Sequence, residues 1–248
     1  MDSQDRVCEQ VCELTGHIVI CGWNTRGRYL VSELLASGRQ IAVVSSEDLR
    51  GLPQGVSFTR GNPSDQEALL KTGIKSAKAA IILWPGDDSQ AILTGLTVGS
   101  VAPDVYTVME LHDPENERYA RYARVNEVLC ADKFIADITG ICTHYEGLSA
   151  FIEDIFSASD DGHSFASFDV PVEFEGRPLR ELFADLQGRL GLPVGVLVPG
   201  DASGQGPQWV SHVDPELDAI VTLPMKAVCI VKDHGSVEVG ITFGGPAQ

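Results

Sequence analysis

Residues 17–38 read HIVICGWNTRGRYLVSELLASG. The run HIVIC is short and apolar and stops at Gly22, and from Thr25 the residues Leu30, Val31, Leu34 and Leu35 fall at helical spacing before Gly38. This is a strand, a glycine turn and a helix. The pattern then recurs. IAVVSS (41–46), VSFTRG (56–61), KAAIILW (78–84), VYTVMEL (105–111) and EVLC (127–130) read as five further strands. Ser64 with Glu67 three residues on forms a capping box ahead of Leu69 and Leu70, which opens a helix after the third strand. A second helix starts near Asp88 or Ser89 and carries Ile92, Leu93 and Leu96, and a third runs from Pro114 to about Val125. Parallel neighbours need helical crossovers, so strands alternating with helices predict an α/β fold with a Rossmann-like, doubly wound parallel sheet over residues 17–133.

The second part of the chain is a different object. From Phe134 to Ser157 apolar residues fall at 134, 135, 138, 141, 142, 145, 148, 151, 152, 155 and 156, interrupted only by Gly140 and Gly147, a stripe that predicts one long, kinked crossover helix. The crossover segment is placed at 134–163 and ends in the polar break SDDGH (159–163). Residues 164–248 then predict a small α+β domain: SFASFDVP, a helix led by Pro178 through LRELFADLQ, and the strand-like runs LPVGVLVP, AVCIVKD and SVEVGITF. PGDASGQGPQ (199–208) is polar and glycine-rich and reads as a loop.

The chain has 248 residues, of which 44% are apolar and 21% charged, so it folds as a globular protein and is longer than the usual single domain of about 100–150 residues. No apolar run approaches the roughly 20 residues of a membrane helix, and the start MDSQDRVCEQ lacks a signal-peptide pattern. The six cysteines, at 8, 12, 21, 130, 142 and 229, form no C-x-x-C pair, which predicts reduced thiols and a cytosolic address. Cys8 and Cys12 share a short amphipathic helix with Val7, Val11 and Leu14, as packing residues or as metal ligands. The net charge of −17 repels phosphate backbones and argues against a nucleic-acid partner. The charge is uneven, since residues 134–176 hold nine acids and no Lys or Arg.

The first turn, Gly22-Trp23-Asn24-Thr25-Arg26-Gly27, is G-x-N-x-x-G where a dinucleotide fingerprint has G-x-G-x-x-G. Asn24 fills the place of the glycine that lets backbone approach a pyrophosphate, and Ser45 and Ser46 stand where an acid grips the ribose, with Glu47 one step late. Either the turn holds a nucleotide phosphate at the helix start or it only packs. Reaction chemistry is not evident: each tyrosine is followed four positions later by Glu33, Glu110, Ala123, Asn126 or Ser149, so no Tyr-x-x-x-Lys pair serves an oxidoreductase. No G-x-S-x-G, H-E-x-x-H, Walker or EF-hand pattern occurs either, and the chain reads as a non-enzyme. Glu110 and His112, two apart at the end of the fifth strand, project to one side as a candidate metal pair that suits zinc better than calcium. The alternative is a solvated strand end. The acid clusters at Asp87–Asp88, Asp160–Asp161 and Asp214 to Asp218 read as loop solvation or helix-start charge.

HIVICGWNTRG, GNPSD (61–65), LLKTGIKSAKAAIIL (69–83), DDSQAILTGLTV (87–98), DVYTVMELHDPEN (104–116) and ARVNEVL (123–129), in this order, resemble the regulator-of-conductance-for-potassium domain, also called the potassium-transport nucleotide-binding domain. The likeness extends to about residue 245 through the crossover helix and the small C-terminal domain. The junction ELTGHIVICGW (13–23) looks most like the segment that follows a channel's inner pore helix, which makes residues 1–16 a linker. The resemblance implies a ligand sensor at the cytoplasmic face of the cell membrane. It would gate potassium flux through a pore-forming channel subunit, or serve as the regulatory subunit of a transporter, with an NAD-dependent oxidoreductase as the remaining alternative. It implies a homodimer built through residues 134–156 and assembled into an octameric gating ring. It also implies a nucleotide, NAD or an adenine nucleotide, over Gly22, Asn24, Gly27, Ser45 and Asn62, together with their neighbours in the turn and Ser46. Calcium ligands of the family map to Asn62, Glu110 and His112, of which only Glu110 is an acid.

Overall fold

The structure is a computed structural model that describes residues 13–49, 51–156, 163–199, 208–213 and 218–231. It divides into two compact units between Glu146 and Gly147, inside the span read as the crossover segment.

In the first unit the strands β1 (Ile18–Cys21), β2 (Ile41–Ser45), β3 (Val56–Arg60), β4 (Ala79–Ile82), β5 (Tyr106–Leu111) and β6 (Glu127–Cys130) lie in the order β3-β2-β1-β4-β5-β6. Every pair is parallel. This is the doubly wound order, with its topological switch between β1 and β4. Every residue of β1 and β2 is buried, because central parallel strands are covered on both faces and so read as unbroken apolar runs. Alternate residues feed two cores. Val19, Cys21, Ala42, Val44, Ile82 and Met109 pack with Leu69 of α2 (Gln66–Lys71) and Val98 of α3 (Asp88–Val101). Ile20, Ile41 and Val43 pack on the other face with Val31, Leu30 and Leu34 of α1 (Thr25–Ala36).

The helices depart from the sequence reading in detail. Asp65, rather than Ser64, caps α2 by accepting from the Glu67 N–H at 3.1 Å. Ser64 instead turns its Oγ to Thr94 at 3.0 Å, so no capping box forms. The stretch from Pro114 is a short 3₁₀ turn followed by α4 (Glu117–Tyr122). The expected long helix is two: α5 (Ala131–Cys142), which follows β6 with no residue between, and α6 (Leu148–Phe156). The break falls where Thr143 and His144 donate back to Gly140 and Ile141 and Gly147 takes φ +84.

The second unit holds an antiparallel sheet in the order β7-β10-β8-β9, made of β7 (Ser164–Asp169), β8 (Leu192–Val198), β9 (Gln208–Ser211) and β10 (Lys226–Val231). Leu179, Leu182, Phe183 and Leu186 of α7 (Leu179–Arg189) are buried against Ala166, Val196, Ala227, Cys229 and Val231. Their i, i+3, i+4 and i+7 spacing gives the helix one apolar stripe for one face of the sheet. SFASFD is thus a strand, and β9 begins at the last residue of the expected 199–208 loop. The Cys8–Cys12 helix and the run SVEVGITF (236–243) lie outside the described residues. Among those residues, no helix is long and apolar enough to cross a membrane.

Candidate nucleotide cleft

Strand register sets one row of backbone at the carboxyl edge of the parallel sheet. Cys21 pairs with Ile82 and Ile82 with Met109, so Gly22, Leu83 and Glu110 stand level, each one step further along. Gly22 takes φ +90, and a Cβ there would sit 2.2 Å from the Leu83 carbonyl oxygen; only glycine makes this turn. Asn24, in the place of the fingerprint's middle glycine, has an extended backbone at φ −142. It caps α1, with Oδ1 accepting from the Gly27 N–H at 3.0 Å. Its Nδ2 donates to Glu110 Oε1 at 3.2 Å.

Glu110 is buried at 7% exposure, and it is held by a cation from the same chain. Arg26 donates through Nε to Oε2 at 2.9 Å and through Nη2 to Oε1. A two-point guanidinium–carboxylate pair is the strongest of the side-chain pairings. The hydrogen bond to Glu110 raises the Arg26 pKa, burial works against it, and the charges of Glu110 and Asp132 add to the rise.

Beside this pair lie two clefts of about 400 and 510 Å³, within the usual range for small-molecule sites. The first is lined by Trp23, Asn24, Thr25, Arg28, Tyr29, Glu47 and Pro85. The second shares Trp23, Arg28 and Glu47 and adds Val31, Asp48, Leu49, Gly51, Leu52 and Pro53. Trp23 and Tyr29 offer aromatic faces, Arg28 a cation and Glu47 a carboxylate. This set suits a ligand with a flat ring, an anionic group and hydroxyls.

Of the residues singled out in the sequence, Trp23, Asn24 and Thr25 line the first cleft, Gly22 and Gly27 shape the turn, and Arg26 faces Glu110. Ser45 turns inward, buried, and its Oγ accepts from the Glu47 N–H at 3.1 Å. Ser46 Oγ lies 3.5 Å from the Gly61 carbonyl, and Asn62 Oδ1 accepts from the Ser64 N–H at 2.9 Å. These three residues shape the ends of β2 and β3, and none of them lines either cleft. The acid that borders both clefts is Glu47, with Arg28 also in both, Tyr29 in the first and Asp48 in the second. The sequence signal for Glu47 was an acid just past the end of the second strand; the inward turn of Ser45, seen only in the structure, accounts for the one-residue offset.

Glu110 and His112 are held by different partners. The His112 N–H donates to Asp88 Oδ1 at 2.9 Å and its ring Nδ1 lies 3.2 Å from the same oxygen. Asp113 N–H and Asn116 Nδ2 donate to Asp88 Oδ2 at 3.0 and 2.8 Å. Among the described residues, no three His, Cys, Asp or Glu come together as a metal ligand set. The two members of the expected metal pair have separate partners, a guanidinium for Glu110 and the Asp88 carboxylate for His112. The reading of Glu110 as a solvated strand end falls, on its burial.

Residues 18–131 match the TrkA-N domain family. YugO of Bacillus subtilis, a protein named for a potassium channel, is 27% identical over 139 residues, which cover 52% of this chain and 42% of that protein. The human SLO3 gating ring superposes with a TM-score of 0.64 at 14% identity, covering 87% of this chain and 44% of that one; this shows a shared fold. The TrkA-N domain of the Escherichia coli inner membrane protein ybaL aligns at 22% identity and TM-score 0.47 over 51% of this chain and 95% of that domain. The chain spans less than half the length of the channel relative it matches. The stretch 18–131 is a TrkA-N domain, and the resemblance read from the motifs of residues 17–129 stands.

Proposed function

We propose that this chain is the nucleotide-sensing regulatory part of a potassium-conducting membrane protein, acting as a non-enzymatic switch. The observation that carries this reading is the cleft at the switch point of a TrkA-N domain, where the start of α1, Arg28, two aromatic rings and Glu47 converge. A helix start with an arginine beside it attracts phosphate, and an acid at the end of the second strand suits ribose hydroxyls.

A sensor also needs a way to pass on its state. No residue of α5 is buried, and Phe134 and Ile135 are 53% and 60% exposed. On α6 only Ile155 is buried, while Phe151 and Phe156 are 54% and 61% exposed. Apolar surface of this extent supports a partner, and a second copy offers the same surface in return. We assign the apolar surface of α5 and that of α6, each within its own unit, to contacts of a homodimer, the building block of a gating ring at the cytoplasmic side of the pore. Gating is then a population shift. A tenfold preference of ligand for one ring shape supplies about 1.4 kcal/mol per site, and coupled copies multiply it.

Native mass spectrometry of the purified chain tests the assembly and the ligand together. Dimers or larger even-numbered oligomers that take up ADP, ATP or NAD support the reading, and a monomer that takes up none overturns it. Rubidium flux through proteoliposomes carrying the chain with its membrane partner tests the output, which must change when nucleotide is added.

A further inference from the structure

We infer that the Arg26–Glu110 pair makes this cleft a site for an adenine mononucleotide and closes it to a dinucleotide. The inference rests on the nucleotide reading above and states which half of the sheet edge the ligand can use.

A dinucleotide bound across a doubly wound sheet lies on both sides of the switch point, with one nucleoside over β2 and the other over β4 and β5. The two sides differ sharply here. The clefts are bounded by Trp23, Arg28 and Glu47 and lie on the β2 side, with Pro85 from the loop after β4 at the rim of the first. On the other side, Arg26 reaches from the first turn of α1 to Glu110 of β5, two strands away from β1 in the order β1-β4-β5. Neighbouring strands lie about 4.8 Å apart, so the ion pair spans roughly 10 Å of the carboxyl edge, past Leu83, where the second nucleoside would lie. Three donors hold Glu110 there, Nε and Nη2 of Arg26 and Nδ2 of Asn24. Displacing Arg26 would leave a buried carboxylate without its cation, a costly state. A ligand confined to the β2 side avoids this. Arg28, which borders both clefts, is left to meet its phosphates.

Isothermal titration of the purified chain with ADP, ATP, NAD and adenosine decides the matter. ADP or ATP is expected to bind at least tenfold more tightly than NAD. In Glu110→Gln, and in the double variant R26Q/E110Q that removes both charges together, NAD is expected to approach ADP to within about threefold while ADP changes little. Circular dichroism confirms that each variant is folded, and the double variant leaves no buried charge unpaired. NAD binding as tightly as ADP in the unaltered chain overturns the inference but keeps the nucleotide reading, as does an ADP-to-NAD ratio that neither variant moves. Loss of ADP binding in R26Q/E110Q with the fold intact makes Arg26 a phosphate ligand and also overturns it. If none of the four compounds binds, the nucleotide reading fails and the selectivity fails with it.

Discussion

A Cβ on Gly22 would stand 2.2 Å from the carbonyl oxygen of Leu83, so the turn that positions the cleft touches the backbone that leaves β4. Neither side can yield easily, because the contact is backbone and Gly22 sits at φ +90. Gly22→Ala is expected to cost at least about 3 kcal/mol, read as a lower midpoint in urea with an unchanged slope.

His17 donates through Nε2 to the Thr72 carbonyl at 2.8 Å, and its Nδ1 is buried with no hydrogen-bond partner among the described residues. Burial lowers its pKa, against a smaller raising effect of the Thr72 bond. The unfolded chain therefore takes up a proton near pH 6.5 that the folded one refuses, and stability falls as pH drops below that value. Urea titrations at pH 7.5 and 5.5 are expected to show this loss, and a smaller one in His17→Gln. Equal losses in the two proteins would remove His17 as the cause.

Asp88 ties the end of β5 to the start of α3. Burial opposes its charge, but the hydrogen bonds from Asn116, His112 and Asp113 outweigh that and hold the carboxyl below its usual value. This contribution is present above about pH 4 and is lost as pH falls through the lowered value. Asp88→Ala leaves these donors without their acceptor and is expected to cost about 3 kcal/mol near neutral pH, with a flatter acid limb in the unfolding profile.

Phe134 and Phe151 protrude from α5 and α6 without being part of any of the three cores. Phe134→Asp and Phe151→Asp are each expected to reduce the oligomer by light scattering while changing the stability of the separated chain by no more than about 0.5 kcal/mol. An unaltered mass in both variants would remove the two helix surfaces as interfaces.

Cys21 and Cys229 are buried, and burial pushes their thiols up to about 12 and about 11. A thiol that stays protonated is a poor nucleophile. Site-resolved mass spectrometry after brief native alkylation is expected to find both unlabelled, and full labelling only after denaturation.

The order of strands and helices in the first unit was legible because parallel strands buried on both faces leave unbroken runs such as IVIC and IAVVS. The break between α5 and α6 was harder to read, because the apolar stripe runs on through residues 143–147 while the backbone turns. Within the site, the residue types of the glycine turn were visible, but their pairings were not. Arg26 and Glu110 lie 84 positions apart, and only strand register brings them level. Glu47 was displaced by a side-chain rule, the inward turn of Ser45, which no periodicity reports.

The sixth strand ends at Cys130 and the next helix begins at Ala131, with no linker to absorb motion. The side chains of Phe134 and Ile135 therefore ride on the edge of the sheet like teeth on a shaft, and any tilt of that edge is felt at once by whatever meshes with them.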